Sequence, residues 1–372
     1  MDTMKAPVYG QARRDLLREE LRHMGADAFI LFSSEYDNRP GIQYLSGFTG
    51  SFALLLVGLK EDRLITDSRY FLQAEEESPL PLLKMEDRDP WPAVSRGLRE
   101  LGVRTLAVEE DKLSMAQGAV LKGLVPGLVG TSQVLRKLRA VKDEEELRHI
   151  RRAARIAAES FEAFLPAIRP GRTEAEVAAD LAYEMRKRGA RQLAKGHFVV
   201  ASGPRGARPH GVFSDRVLQD GDLVTMDFGA VWEGYVSDIT RTVAIGRVDP
   251  KLAEIYQVVL EANRRAVEAV SARATGREVD EAARSYIRSR GWGEHFTHST
   301  GHGIGLELHE LPVVNRLNGG LLPAGSVITI EPGIYVEGLG GVRIEDDVIV
   351  LDHGAEVITA ASSTELRILP GS

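Results

Sequence analysis

From Val141 onward the sequence passes twice through the same order of patterns, a pair of helices followed by strands, and few architectures accommodate such a doubling. Helical periodicity over Glu144 to Ala167 and Thr173 to Gly189 precedes a strand pattern at Gly196 to Ser202 and two strands around Val224 and Val236. A second helical pair, Lys251 to Val270 and Val279 to Arg290, precedes strands at Val327 to Ile330 and Val342 to Leu351. The order predicts an internally duplicated α+β half. The duplication lies in the pattern, without a residue-level repeat. Before it, helical patterns (Tyr9 to Met24, Tyr70 to Glu77, Trp91 to Leu101) alternate with apolar runs (Ala28 to Phe32, Ala53 to Val57, Thr105 to Val108), as in an α/β domain. A charged stretch, Arg136 to Glu146, joins the halves, and Asp143 within it can cap a helix running towards Phe164. With the boundary near Leu135 to Val141, the expected domains are 1–135 and 136–372.

A length of 372 residues suits two or three domains. The net charge of -7 argues against nucleic acid or an anionic membrane as the main partner. Phe52 to Leu59, the longest strongly apolar run, is far too short to span a bilayer, and Met1 to Arg14 is polar and charged rather than an apolar signal segment. The expectation is a soluble cytoplasmic protein with no nucleic-acid or membrane partner. The chain has no cysteine, which excludes disulfides and thiolate chemistry.

Acidic side chains occur where strands do not favour them. Asp227 follows Val224-Thr225-Met226, and Asp238 follows Tyr235-Val236-Ser237, with Gly229 and Gly234 bracketing a turn. The two can therefore fall on adjacent antiparallel strands and point at one spot. Either alone reads as an ordinary strand-end aspartate, yet an Asp in an apolar strand needs something to compensate its charge. His302 sits among alternating glycines in Thr300-Gly301-His302-Gly303-Ile304-Gly305, flanked by His298 and His309. The glycine spacing fits neither a dinucleotide fingerprint nor a P-loop. Glu331 and Glu345 each follow apolar strand residues; Pro332-Gly333 ends the first strand, and Asp346 and Asp347 beside the second read as solvated. Arg343 shares Glu345's strand face and can hold an acidic ligand in place. Four carboxylates and one imidazole, Asp227, Asp238, His302, Glu331 and Glu345, form a donor set for two divalent ions such as Mn, Co, Fe or Zn.

These segments, Asp227-Phe228-Gly229, Ser237-Asp238-Ile239-Thr240-Arg241, Thr300 to Gly305, Ile330-Glu331-Pro332-Gly333 and Arg343-Ile344-Glu345-Asp346, resemble the pita-bread metallopeptidases, a family that includes methionine aminopeptidase, prolidase and aminopeptidase P. The resemblance implies that Asp227 chelates one metal, Asp238 and Glu345 bridge both, and His302 and Glu331 complete the second, with manganese first among the candidate ions. Two such ions would activate a shared water, and Glu331, at a strand tip, is the expected carrier of its proton to the leaving nitrogen, with His298 and His309 expected to polarise the carbonyl or hold the oxyanion. His210, in Pro209-His210-Gly211, resembles the histidine lining the proline pocket; Tyr335 is expected against the substrate ring or in plain core. Arg69 is expected either to reach a partner subunit's site or to close its own domain. Tyr44 to Ser51 and Thr66 to Ala74 look most like aminopeptidase P, which makes an Xaa-Pro aminopeptidase acting on short peptides the first expectation and an Xaa-Pro dipeptidase (prolidase) the alternative. Some prolidases place an arginine where Val313 stands, and Arg316 is the nearest substitute. A non-catalytic peptide-binding module and a metal-free creatinase both sit poorly with the retained ligand set. The resemblance also implies a homodimer.

Overall fold

The computed structural model describes residues 9–34, 38–196 and 198–371. The start of the charged N-terminal segment and His197, within the expected Gly196 to Ser202 strand, lie outside them. One compact unit ends at Arg139 and another begins at Ala140.

The first unit is built on a six-stranded mixed sheet in the order 82–84, 62–66, 53–58, 28–33, 105–109, 127–131. The three apolar runs read from the sequence are its central strands, and Ala28–Ser33 pairs antiparallel with Ala53–Gly58 and parallel with Thr105–Glu109. Such runs are apolar throughout because helices cover a central strand on both faces. The Gln11–Met24 helix buries Arg14 and Arg18, and both guanidiniums pair with Asp62, one Arg18 nitrogen, Nη2, donating to both carboxylate oxygens at 2.6 and 2.7 Å. The Met115–Leu124 helix has no strong apolar periodicity, and what starts it is a reciprocal cap between Ser114 and Gln117.

The second unit repeats one layout. Helices Glu144–Phe164 and Glu174–Lys187 accompany a four-stranded sheet ordered 368–369, 239–245, 223–228, 199–202; helices Pro250–Ala269 and Gly276–Ser289 accompany a five-stranded sheet ordered 310–314, 301–303, 327–330, 346–350, 355–357. A residue-level echo does exist. The second helix of each pair opens on Thr-x-x-Glu-Val, with Thr173 capping through Glu176 and Thr275 through Glu278. The following valines, Val177 and Val279, are fully buried, which stabilises each helix by about 1.5–3 kcal/mol. Each cap threonine also makes an isolated bridge, Thr173 to Val217 and Thr275 to Leu321. No helix among the described residues is long and apolar enough to cross a membrane.

Two expectations change. The run Val342 to Leu351 is not one strand: Gly340–Arg343 and Asp346–Val350 belong to different sheets, and Glu345 sits in the break, bridged to Thr240. Asp346 and Asp347 are buried, not solvated; Arg241 pairs with Asp346 at 2.8 Å, and the Asp238 N–H donates to Asp347. A strand that leaves one sheet for another exposes polar backbone at the switch, and these side chains satisfy it.

Candidate metal centre

Asp227 stands at the end of the Leu223–Phe228 strand, and Asp238 directly precedes Ile239–Ile245, its antiparallel partner, in which Thr240 is level with Asp227. Between them the chain leaves the sheet for a two-residue turn at Glu233 and Gly234, both at positive φ, so the turn is tighter than the span from Gly229 suggested. Gly229 is required: a Cβ there would lie 1.9 Å from the Ser237 carbonyl oxygen. His302 comes from the short Gly301–Gly303 strand, where a Cβ on Gly301 would meet the Thr329 carbonyl at 1.8 Å, and Glu331 follows Val327–Ile330 next to it. Donor atoms of Asp238, His302 and Glu345 all lie within 4.8 Å of one another. His302 Nε2 is 3.8 Å from Asp238 Oδ2 and 3.4 Å from Glu331 Oε1.

Asp227, Glu345 and His302 are oriented from behind. Arg343 donates to Asp227 Oδ2 at 2.7 Å, and to Thr240 Oγ1, which in turn donates to Glu345 Oε2 at 2.6 Å. The His302 ring nitrogen Nδ1 lies 3.1 Å from the Gly303 carbonyl oxygen. A carbonyl only accepts, so Nδ1 carries the proton and Nε2 keeps its lone pair for a metal. From the helix behind, Asn263 Nδ2 reaches the carbonyls of Ile330 and Ile344, one residue ahead of each glutamate.

Electrostatics mark the cluster as incomplete without cations. Burial, then neighbouring carboxylates, holds Asp238 and Glu345 well above the usual carboxylate range, and Glu331 is raised by burial and by Glu345. Burial also pushes Asp227 up, but Lys195 and Arg343 outweigh it and leave its carboxyl low. Burial lowers His302 to about 4, so it is neutral and ligand-competent. Asp238 Oδ1 is buried and makes no hydrogen bond; the Lys195 ammonium faces it at 3.0 Å as an ion pair. Buried oxygens, a neutral imidazole with its lone pair inward, and a buried carboxylate oxygen held only by the Lys195 ion pair fit a pair of divalent ions.

Asp227, Asp238, His302 and Glu331 open on a cavity of about 570 Å³, shared with Lys195, Val199, His210, Val212, His298, Leu308, His309, Val313 and Arg343, while Glu345 lies behind it. His309 packs against His302 with ring centroids 4.2 Å apart and the rings tilted by 42°. His298 is less available than expected: its Nδ1 donates to the Ser299 carbonyl, so its Nε2 accepts from the Tyr335 hydroxyl at 2.9 Å. Tyr335 is buried, outside the residues that line the cavity, and its hydroxyl accepts a hydrogen bond from Arg343 at 2.9 Å. Arg69 belongs to the first unit, where it forks onto Asp67. Lys195 and Thr240 carry no role in the sequence reading, because a lysine in a short polar loop and a threonine in a β-run show no signal that singles them out.

Residues 148–352 match metallopeptidase family M24, and residues 13–141 match the creatinase/prolidase N-terminal domain. The chain is 40% identical over 331 residues to the Xaa-Pro dipeptidase of Pyrococcus furiosus, covering 88% of this chain and 92% of that protein. The solved Xaa-Pro dipeptidase from Bacillus anthracis is 42% identical with a TM-score of 0.92, covering 97% of this chain and 100% of its own. The X-Pro aminopeptidase from Thermotoga maritima is 40% identical with a TM-score of 0.88, covering 95% of this chain and 99% of its own.

Proposed function

This chain belongs to metallopeptidase family M24, and from that premise we propose that it is a two-metal Xaa-Pro dipeptidase, splitting dipeptides whose second residue is proline. The carrying observation is that Asp227, Asp238, His302 and Glu331 line one cavity, with a Glu345 carboxylate oxygen within 4.8 Å of the donors of Asp238 and His302, in a chain whose near full-length relatives include Xaa-Pro dipeptidases. This reverses the order drawn from the sequence, where segments now seen to lie in the first unit favoured the aminopeptidase. The likeness to the Thermotoga maritima enzyme keeps the aminopeptidase as the second reading.

Those five residues would hold the ions, manganese first, with cobalt, zinc or iron as alternatives; when bound, the pair supplies Lewis acidity and a water deprotonated near neutral pH. The remaining steps belong to side chains. Glu331, made more basic by burial and by Glu345, takes a proton from water and delivers it to the proline nitrogen, which carries none in the amide. His309, beside His302 and open to the cavity, donates to the developing oxyanion. His298 acts through Tyr335 and Arg343 as part of the wall. Val199, Val212, Leu308 and Val313 give apolar contact for the pyrrolidine ring, with His210 at the rim.

The test is turnover of Ala-Pro beside Ala-Pro-Gly by the manganese-loaded protein. Faster cleavage of Ala-Pro is expected; preference for the tripeptide favours the aminopeptidase, and hydrolysis of neither defeats both readings.

A further inference from the structure

The cavity contains two formally cationic side chains, Arg343 and Lys195, and they differ in freedom. Arg343 is buried and fixed by hydrogen bonds to Thr240, Pro209, Tyr335 and Asp227. Lys195 rises from the loop between Gln192–Leu193 and Val199–Ser202, whose base is fixed by the Ala194 N–H donating to the Gly229 carbonyl at 2.9 Å. Its ammonium pairs with Asp227 and Asp238, the same carboxylates assigned to the ions.

Divalent ions on those carboxylates repel an ammonium within a few ångströms, and the lysine stem, tethered at the cavity wall, can turn its charge towards the open space. What enters that space under the dipeptidase reading carries an anion. The carboxylate of an Xaa-Pro dipeptide is borne by the carbon next to the scissile nitrogen, so it must sit close to the ions and be desolvated with the bond. The apolar walls, Val313 and Leu308, have no donor, His309 is assigned to the oxyanion and His298 is tied to Tyr335, so the cation free to meet the carboxylate is Lys195. A buried carboxylate without a partner is strongly disfavoured, and a charge-assisted hydrogen bond removes the penalty.

We propose that Lys195 is the specificity residue for the free carboxylate of the substrate, serving as counter-charge to Asp227 and Asp238 before the ions bind and as carboxylate anchor afterwards. This rests on the dipeptidase reading. An aminopeptidase, whose substrates continue beyond proline, has no use for a cation there.

The test compares wild type, K195M and K195R, all manganese-loaded, on Ala-Pro and Ala-Pro-amide, together with calorimetric binding of L-proline and L-prolinamide. Wild type is expected to favour the acid in both assays. K195M is expected to lower the acid-to-amide ratio of kcat/KM about tenfold, mainly through KM, and to lose the preference for proline over prolinamide, while K195R restores most of both. An unchanged ratio in K195M overturns the inference, as does an equal loss on acid and amide, which would place Lys195 in service of the ions alone. Failure of wild type to cleave Ala-Pro defeats the dipeptidase reading instead, and the binding assay still judges Lys195.

Discussion

Arg343 donates to Asp227 at 2.7 Å from a strand in a different sheet, so the carboxylate is oriented by the second half of the duplicated unit and not by its own strand. The same guanidinium supports Thr240 and through it Glu345, which makes it a shared brace for two ligands. R343M should therefore weaken manganese binding about 10–100-fold, the scale on which outer-shell partners act. Isothermal titration calorimetry on metal-stripped protein checks this, and R343K should fall between wild type and R343M because it lacks the fork.

Removal of ligands should be more severe than removal of their brace. D238N and E345Q are expected to lower metal content below two ions per chain by elemental analysis and to reduce hydrolysis by roughly 10³-fold or more, given that such ions supply both nucleophile and charge stabilisation. Chelation of the wild type should abolish activity reversibly and lower the melting temperature, since the ions bind the folded state.

Metal loading should release protons. Asp238 and Glu345 are raised by burial and by neighbouring carboxylates, so before loading they hold protons near neutrality, while the ions require the ionised form. Manganese affinity is then expected to strengthen as pH rises to about 8 and level off above it. Calorimetry in buffers of different ionisation enthalpy measures the proton count, and a value of zero would contradict the raised carboxyls.

Glu109, in the first unit, offers a pH test away from the centre. Burial raises its carboxyl above the ordinary value of 4.5, against a weaker opposing effect of the Asn38 side chain 3.2 Å away. A raised acid favours its protonated form in the folded state; its contribution is present below pH 4.5 and is lost as pH climbs through the raised value. E109Q removes that loss. Melting at pH 8 should rise by about 2–4 °C over wild type, with the difference shrinking towards pH 4.

Asp280 and Arg284, one turn apart on Gly276–Ser289, grip the 296–300 segment. Arg284 donates to the carbonyls of Phe296 and His298, and Asp280 accepts from Thr300. Removing one partner of a buried ionic pair destabilises by about 3–5 kcal/mol, so D280N should lower the denaturation midpoint and also reduce kcat/KM by loosening the segment that leads to His302.

The fold was legible because its causes are local. Helices Glu144–Phe164 and Glu174–Lys187 announce themselves by caps and periodicity, the central strands of the first unit by unbroken apolar runs, and the duplication by order alone. The ligand types were legible for a related reason: a carboxylate inside an apolar strand is so unfavourable that it demands a partner. The Met115–Leu124 helix was missed because its start depends on a cap and its face is barely amphipathic.

The sequence by itself determined which donors exist, that they suit hard divalent ions and that two similar halves would carry them. It did not determine that Asp346 and Asp347 turn inward, that Glu345 occupies a break between two sheets, that His298 is tied to Tyr335, or that Lys195 reaches Asp227 and Asp238. Each of these is a contact between residues far apart in the chain, and it is decided by which sheets face each other across the duplicated unit. Local propensity reads the backbone, whereas the charge state and direction of a buried side chain depend on neighbours that only the folded chain assembles.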